Sequence, residues 1–528
     1  MYDYVIVGAG AAGCVLAARL SEDPDVTVCV VEAGPLDNAE NVHVPAAFAK
    51  LFRTHMDWDY DTHDEPSLNG RRVYLPQGKV LGGSTSINSM IYVRGNPADF
   101  DGWGQPGWGF DDLLGYFIRS EDNERGESAF HGTGGPLGVS DNRARNPMST
   151  AFIEAATATG FGTNDDFNGP TQDGFGYFQV TQRDGRRSSA ATAFLHPVMD
   201  RPNLTVEANL QTHRVLFEDG RATGISGHRL GEEITIRAER EVILAAGAYN
   251  SPQLLQLSGI GPAGLLGALG IPVVLDQPLA GQGLQDHALV PLVHTHSHPI
   301  SMLAAGQPES VQQFITSGRG PLTSNGPEAG GFVRTLDGLP APDAEFLAAP
   351  VMIANSGLAA PTHHALTFGP SLLTPKSRGH VSLASDDPTA KPRIVHNYYA
   401  EADDLETAVR ALRIALEIAR AKPLKPYTET PYAPPASESD DDLRDYVRMR
   451  TQSTYHPVGT CAMGQVVDAE LRVLGVDGLR VVDASVIPTI IRGNTNAPVM
   501  AIAEKAADLI RDVPVLQPRR PAAAAHNG

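Results

Sequence analysis

The opening 35 residues constrain the fold more than any other part of the chain. Residues 4–7, Tyr-Val-Ile-Val, are a short apolar run bounded by glycine, which reads as a buried parallel strand. Gly8-Ala-Gly10-Ala11-Ala12-Gly13 follows, then an alanine- and leucine-rich helix over 11–21 and a second strand over 26–31. This is one β–α–β unit, so the crossover is right-handed and the sheet parallel. Each glycine has a physical reason. Gly8 permits the tight turn, Gly10 lets backbone approach a pyrophosphate, and Gly13 lets the helix pack close to the strand. The helix opens at Ala11 and Ala12, where free N–H groups and partial positive charge face the phosphates. Glu32, followed by Ala33, stands 19 residues beyond Gly13, where a carboxylate can accept from an adenosine ribose and repels a 2′-phosphate. Strand, turn, helix and acid together predict a dinucleotide site, but they do not separate NAD from FAD.

The net charge of −20, from 61 acidic against 41 basic residues, argues against partners that need a positive surface, nucleic acid and anionic membrane among them. The length corresponds to about two to four domains. Three cysteines, Cys14, Cys29 and Cys461, make no disulfide framework and suit a reducing compartment. The apolar N-terminus resembles a signal peptide, but it carries Asp3 and a glycine spacing that the dinucleotide turn explains better. No run of 18 apolar residues is present, so no membrane insertion is expected, and a cytoplasmic location is the default.

Residues 35–145 are rich in Gly, Pro, Asp and Asn and predict loop and extended structure; 146–200 predict short helices and turns. Strand-like runs follow at 204–207, 214–218, 222–225, 233–236 and 241–246, with hairpin chemistry at Asp219-Gly220 and Gly231. Residues 291–400 alternate strand-like runs with Gly/Pro breaks and predict an antiparallel sheet. The clearest helix spans 403–420, with Leu405, Ala408, Val409, Leu412 and Leu416 as a core stripe, Asp403 and Glu406 at capping-box spacing, and Pro423 beyond its end. The last residues predict a frayed tail.

Residues 78–95, GKVLGGSTSINSMIYVRG, and 247–262, GAYNSPQLLQLSGIGP, closely resemble the two signatures of the glucose–methanol–choline (GMC) oxidoreductases. The dinucleotide turn, Tyr455-His456-Pro457-Val-Gly-Thr-Cys461, Asp483-Ala484-Ser485 and Gly493-Asn494-Thr495-Asn496 complete the set in the family's order. The likeness is to choline-dehydrogenase-like bacterial members. It implies an α/β fold: a Rossmann-like FAD-binding domain with a discontinuous substrate domain built on an antiparallel sheet with helices. On that pattern the FAD domain takes 1–145, 195–290 and 455–515, the substrate domain 146–194 and 291–454, and 516–528 form a tail. The resemblance places Val80, Gly82, Gly83 and the stretch Asn88, Ser89, Met90 and Ile91 around the flavin. It sets Val215 against the adenine, Asp483 and Ala484 at the ribityl chain or pyrophosphate, and Thr495 and Asn496 nearby. Some members attach FAD through a histidine in the first signature; Ile87 stands there, so non-covalent FAD is expected.

The resemblance implies alcohol oxidation by hydride transfer to flavin N5. An imidazole, neutral near physiological pH, suits the hydroxyl proton, and the family's motif assigns that role to His456. Pro457 biases His456 toward extended backbone. Asn494 takes the partner position, with an amide able to orient the substrate oxygen; Asn496, two residues on, is the competing assignment. His294, His296 and His298 alternate as on one strand face and read as pocket-lining or surface residues rather than a metal site. His363-His364 reads as loop. A choline oxidiser needs an aromatic cage; Trp58, Trp103 and Trp108 all lie in the N-terminal fifth, outside the expected substrate domain, although Tyr455 could supply one ring. The expectation is an uncharged primary alcohol, aliphatic or aryl, ahead of polyols and sugars. The electron acceptor, oxygen or a quinone-type carrier, and the oligomeric state stay open. The alternatives are a flavin-containing lyase of cyanohydrin type and an NAD-binding or catalytically silent protein.

Overall fold

The computed structural model describes residues 1–519, so the expected tail lies outside the described residues from 520 onward. Two sheets organise the chain. In the first, strands Tyr2–Val7 and Val28–Val31 pair in parallel around helix Ala11–Leu20. Leu204–Glu207 extends the sheet beside Val28–Val31, and Glu232–Leu244 lies parallel on the other side of Tyr2–Val7. The 13-residue strand Glu232–Leu244 changes partners along its length. Its first half closes an antiparallel meander with Gln211–Glu218 and Arg221–Arg229, and its second half joins the parallel layer and receives Leu479–Val481. The meander turns as predicted: Asp219 and Gly220 both have positive φ (50° and 79°), the twist that two-residue hairpins favour. Strand residues 5–7 and 28–31 are buried on both faces, which is why they read as unbroken apolar runs.

Helix Asn496–Ile510 packs against Ala11–Leu20, and the forked guanidinium of Arg19 holds buried Glu504 at 3.0 and 2.8 Å. The last helix therefore starts beside the dinucleotide turn, and Asn494 to Asn496 arrive there from nearly 500 residues away in sequence.

Among the described residues the second sheet has eight antiparallel strands, with Leu292–Thr295, Ala365–Leu372, Ala344–Ala349, Ala329–Val333 and Gly174–Tyr177 as consecutive neighbours. Its residues alternate as strand geometry demands. Phe346, Ala348, Leu366 and Phe368 join Leu405, Ala408, Val409 and Leu412 of helix Ala402–Arg420 in one core, while Leu347 and Thr367 turn to a cavity between the sheets. The helix stripe is core as expected, with Leu416 at its edge. The expected capping box is not formed. The helix begins one residue earlier behind Glu401 with no side-chain cap. Asp403 pairs with Lys376 at 2.5 Å and Glu406 with Arg444 at 2.7 Å, because both carboxylates find cations across the surface.

Short strands Ala288–Leu289 and Gln452–Ser453 pair antiparallel, and Gln285 exchanges backbone hydrogen bonds with Val458 at 3.0 Å each way. This ladder sets residues 285–289 against 452–458 and brings His287 beside His456. Among the described residues, no helix is long and apolar enough to cross a membrane.

Candidate active site

A cavity of about 830 Å³ runs between the two sheets. At one end it is lined by Gly8, Gly10, Ala11, Ala12, Glu32, Ala33 and Leu210 to Thr212, and at the other by His456 and Asn494. Gly83, Asn88, Ser89, Met90, Ile91, Asp483, Ala484, Thr495 and Asn496 also face it. Of the cofactor residues expected from the sequence, Gly13, Val80, Gly82 and Val215 do not. Gly13 works behind the turn, where a Cβ would come within 1.8 Å of the Gly8 carbonyl oxygen. Val80 is wholly buried in a small apolar cluster. Gly82 donates its N–H to the Ala9 carbonyl at 2.8 Å and fixes the signature loop to the turn. The Val215 amide is already bonded to Ser258 Oγ at 2.8 Å, and Leu210, Gln211 and Thr212 line the cavity instead.

The residues present fit a flavin dinucleotide. Helices Ala11–Leu20, Gly247–Leu257 and Asn496–Ile510 all start at the cavity wall; the first and last have no side-chain cap, whereas Asp483 and Ser251 take the N–H groups of Gly247 and Ala246. Free N–H groups and the positive ends of helix dipoles suit phosphate. Gly83 (φ +53°) lies so close that a Cβ would meet Gly10 Cα at 2.7 Å, a contact of two backbones with no room for a side chain. Glu32 is buried, its oxygens accepting from Ala9 N at 3.0 Å and Gly34 N at 2.9 Å, and burial lifts its carboxyl to about 7. Each oxygen keeps a lone pair for a ribose hydroxyl. Asp483 differs, because Ser485 N, Ser485 Oγ, Gly247 N and Ser251 Oγ occupy its carboxylate, so it offers the cavity backbone rather than side chain.

At the other end His456 is 8% exposed, with Nε2 3.1 Å from Asn494 Nδ2. Asn494, not Asn496, therefore reaches the imidazole, and its buried Oδ1 has no partner among the described residues. Tyr455 holds a left-handed backbone (φ 67°), an unfavourable conformation for a bulky residue. It is fixed by its N–H to Ser453 Oγ at 2.7 Å. The His456 N–H donates to Asp286 Oδ1 at 2.8 Å, and Asp286 Oδ2 accepts from Ser453 Oγ and Tyr398 OH, both at 2.5 Å. Burial raises Asp286 to about 6 against those hydrogen bonds. Burial, then the neighbouring His287, holds His456 well below the ordinary imidazole value, so it is neutral at neutral pH.

Sequence reasoning missed Asp286 and His287; only the Gln285-Asp-His run marks them, and it has no local pattern that distinguishes it. The histidine triplet also differs from expectation. Strand Leu292–Thr295 contains His294 alone, which stacks on Phe368 in the core (centroids 5.8 Å apart), and His296 contacts Met148 Sδ at 3.0 Å. The alternation stops because the chain leaves the sheet after Thr295, and none of the three lines the cavity. Trp58 does line it, but Tyr60 stacks on the ring and the Lys79 ammonium sits 4.5 Å from its centroid.

A model described as GMC oxidoreductase matches residues 2–289, and another of the same description matches 375–503. The chain is 41% identical over 527 residues to an alcohol dehydrogenase [acceptor] of Pseudomonas putida, covering 97% of this chain and 96% of that one. It is 40% identical over 548 residues to the mitochondrial choline dehydrogenase of Homo sapiens, covering 98% and 92%. Among solved structures, the pyridoxine 4-oxidase of "Mesorbium loti" superposes with a TM-score of 0.88 at 32% identity, over 97% and 99% of the two chains.

Proposed function

Because the chain belongs to the GMC oxidoreductase family and is an FAD-dependent oxidoreductase, we propose that it oxidises an uncharged primary alcohol to the aldehyde, with His456 taking the hydroxyl proton. The observation that carries this reading is the His456–Asn494 pair, a neutral buried imidazole 3.1 Å from a side-chain amide at the end of the cavity. The dinucleotide would be held by Gly8 to Ala12, Glu32, Gly83, Asn88 to Ile91 and Thr495, without a covalent bond, since Ile87 has no nucleophile. When bound, FAD supplies hydride acceptance at N5.

The protein's own part is proton handling and placement. Asn494 Nδ2 donates toward the Nε2 lone pair of His456. An alcohol oxygen placed beside the pair would take the amide N–H in place of Nε2 and donate its own proton to Nε2, so the proton moves from oxygen to Nε2 as the carbinol C–H bond breaks. Both groups are fixed before substrate arrives, His456 through Asp286 and Asn494 through the start of the last helix. Fixed geometry removes part of the entropic barrier.

The cavity walls support an uncharged substrate. Phe48, Phe52, Leu289, Met302, Val351 and Tyr455 line the region and are apolar or aromatic. Among the described residues, three carboxylates line the cavity: Glu32, Asp57 and Asp483. Each is committed, Asp57 to the N–H groups of Arg53, Asp59 and Gln77. Trp58, a ring that a quaternary ammonium could use, already carries Lys79. These features weigh against choline despite the 40% identity to a choline dehydrogenase.

The test is anaerobic mixing of the holoenzyme with a panel of aliphatic, benzylic, polyol and cationic alcohols, followed by flavin absorbance. Uncharged primary alcohols are expected to bleach the flavin fastest. His456→Ala is expected to keep FAD and lose reduction rate by about a hundredfold. A flavin that no alcohol bleaches would overturn the reading, as would aldehyde formation without bleaching, which would point to a lyase.

A further inference from the structure

His456 has a second side, turned away from the cavity. Its Nδ1 lies 2.9 Å from Nδ1 of His287, with the two rings nearly perpendicular at 88°. It also lies 3.1 Å from Thr454 Oγ1. At the first contact one imidazole nitrogen must donate and the other accept, since two lone pairs or two protons cannot face each other at that distance.

Thr454 decides which. Its hydroxyl has one proton, and the His287 carbonyl at 3.1 Å can only accept it; with the proton there, only lone pairs remain for His456 Nδ1. Two acceptors, Thr454 Oγ1 and His287 Nδ1, thus converge on a single nitrogen, and the proton of neutral His456 belongs there. Nε2 is left with its lone pair, facing the Asn494 amide donor. This arrangement puts the proton of neutral His287 on its buried Nε2, which has no hydrogen-bond partner among the described residues. Burial pushes His287 down to about 4, so it remains a neutral acceptor. The opposite arrangement, His287 donating to His456, would put the His456 proton on Nε2, against Asn494 and into the place where the substrate proton must go.

We propose that His287 is a positioning residue for the reaction: it accepts the Nδ1 proton of His456, which keeps the Nε2 lone pair turned to the alcohol, and holds that hydrogen bond when Nε2 becomes protonated. No further bond is made or broken, because the proton leaving the alcohol stays on His456. The role rests on the reading of His456 as the base. It also explains why a ring with an unpaired nitrogen is kept wholly buried, at a cost that an aliphatic side chain would avoid.

The experiment compares holoenzyme forms of His287→Leu, His287→Asn, His456→Ala and the parent, each with its flavin content and melting temperature measured. Anaerobic stopped flow separates alcohol binding from flavin reduction, and ¹⁵N NMR of histidine-labelled protein reports the His456 tautomer, assigned by its absence in His456→Ala. The parent is expected to carry the His456 proton on Nδ1. His287→Leu is expected to mix the tautomers and slow reduction about tenfold or more, with alcohol affinity within about twofold. His287→Asn, whose amide oxygen can stand where Nδ1 stood, is expected to restore most of the rate. A purely packing role would predict the reverse order, with Leu tolerated and Asn not. Parent His456 protonated on Nε2, or His287→Leu matching the parent in rate and tautomer while His456→Ala is inactive, would overturn the inference alone. Full activity in His456→Ala would instead overturn the reading beneath it.

Discussion

Glu345 offers a test of how strongly the interior controls ionisation. It lies on strand Ala344–Ala349 between Phe332 and Ser371 of the neighbouring strands, wholly buried. Among the described residues, neither carboxyl oxygen has a hydrogen-bond partner, and Ser371 Oγ beside it has none either. Burial alone raises the group from 4.5 to about 8. Because the folded value is raised, the stability linked to this group is fully present below 4.5 and is lost as pH rises toward 8. Each pH unit across that window is worth about 1.4 kcal/mol. At pH 7 the fold has therefore lost about 3 kcal/mol relative to a side chain of the same shape that cannot ionise, under about 1 kcal/mol at pH 5, and about 5 above pH 8. Glu345→Gln keeps the shape and removes the titration. Unfolding entropy of about 2.1 cal/mol/K per residue converts 3 kcal/mol into a rise of about 3 °C at pH 7 for cooperative unfolding of the chain. Melting of the holoenzyme by intrinsic fluorescence at one scan rate, from pH 5 to 9, gives the gap between parent and variant. It should be near zero at pH 5, widen through pH 8 and then flatten. A gap that does not change between pH 5 and 8 would mean that Glu345 is solvated or paired, and the argument would fail.

Two further outcomes test the cofactor site. Gly13→Ala would set a Cβ 1.8 Å from the Gly8 carbonyl, a backbone atom that cannot swing aside, so the purified protein should carry little flavin per chain while parent protein is yellow; full flavin occupancy would refute this close packing. Acid precipitation of the parent holoenzyme should release all flavin into the supernatant, because Ile87 offers no nucleophile; colour retained in the washed pellet would show a covalent bond made elsewhere.

Much of the fold was legible because its strongest signals are local. The strand, glycine turn, helix and acid of the first 35 residues, the Asp219-Gly220 hairpin and the period of the 402–420 helix depend on neighbours within a few positions. Local rules failed where a distant partner competed. Asp403 and Glu406 had capping spacing, but Lys376 and Arg444 captured their carboxylates from other segments. The histidine triplet had strand spacing, but the sheet ends at Thr295.

The candidate site divides along the same line. His456 and Asn494 were found through the motifs around them, and those motifs specify the side of the imidazole that faces the cavity. The other side is built by residues 285–287, about 170 positions earlier, brought there by a two-residue ladder between Ala288–Leu289 and Gln452–Ser453. A pairing that short leaves no periodicity to read, since two alternating positions are indistinguishable from loop. Its consequence is nonetheless specific. The ladder fixes the His456 backbone through Asp286 and sets His287 Nδ1 and Thr454 Oγ1 on the same nitrogen. A histidine can act from either nitrogen, and which one is free follows from what the other one touches. The proposed base is therefore defined as much by the buried strand behind it as by the motif that contains it, and only the three-dimensional arrangement joins the two.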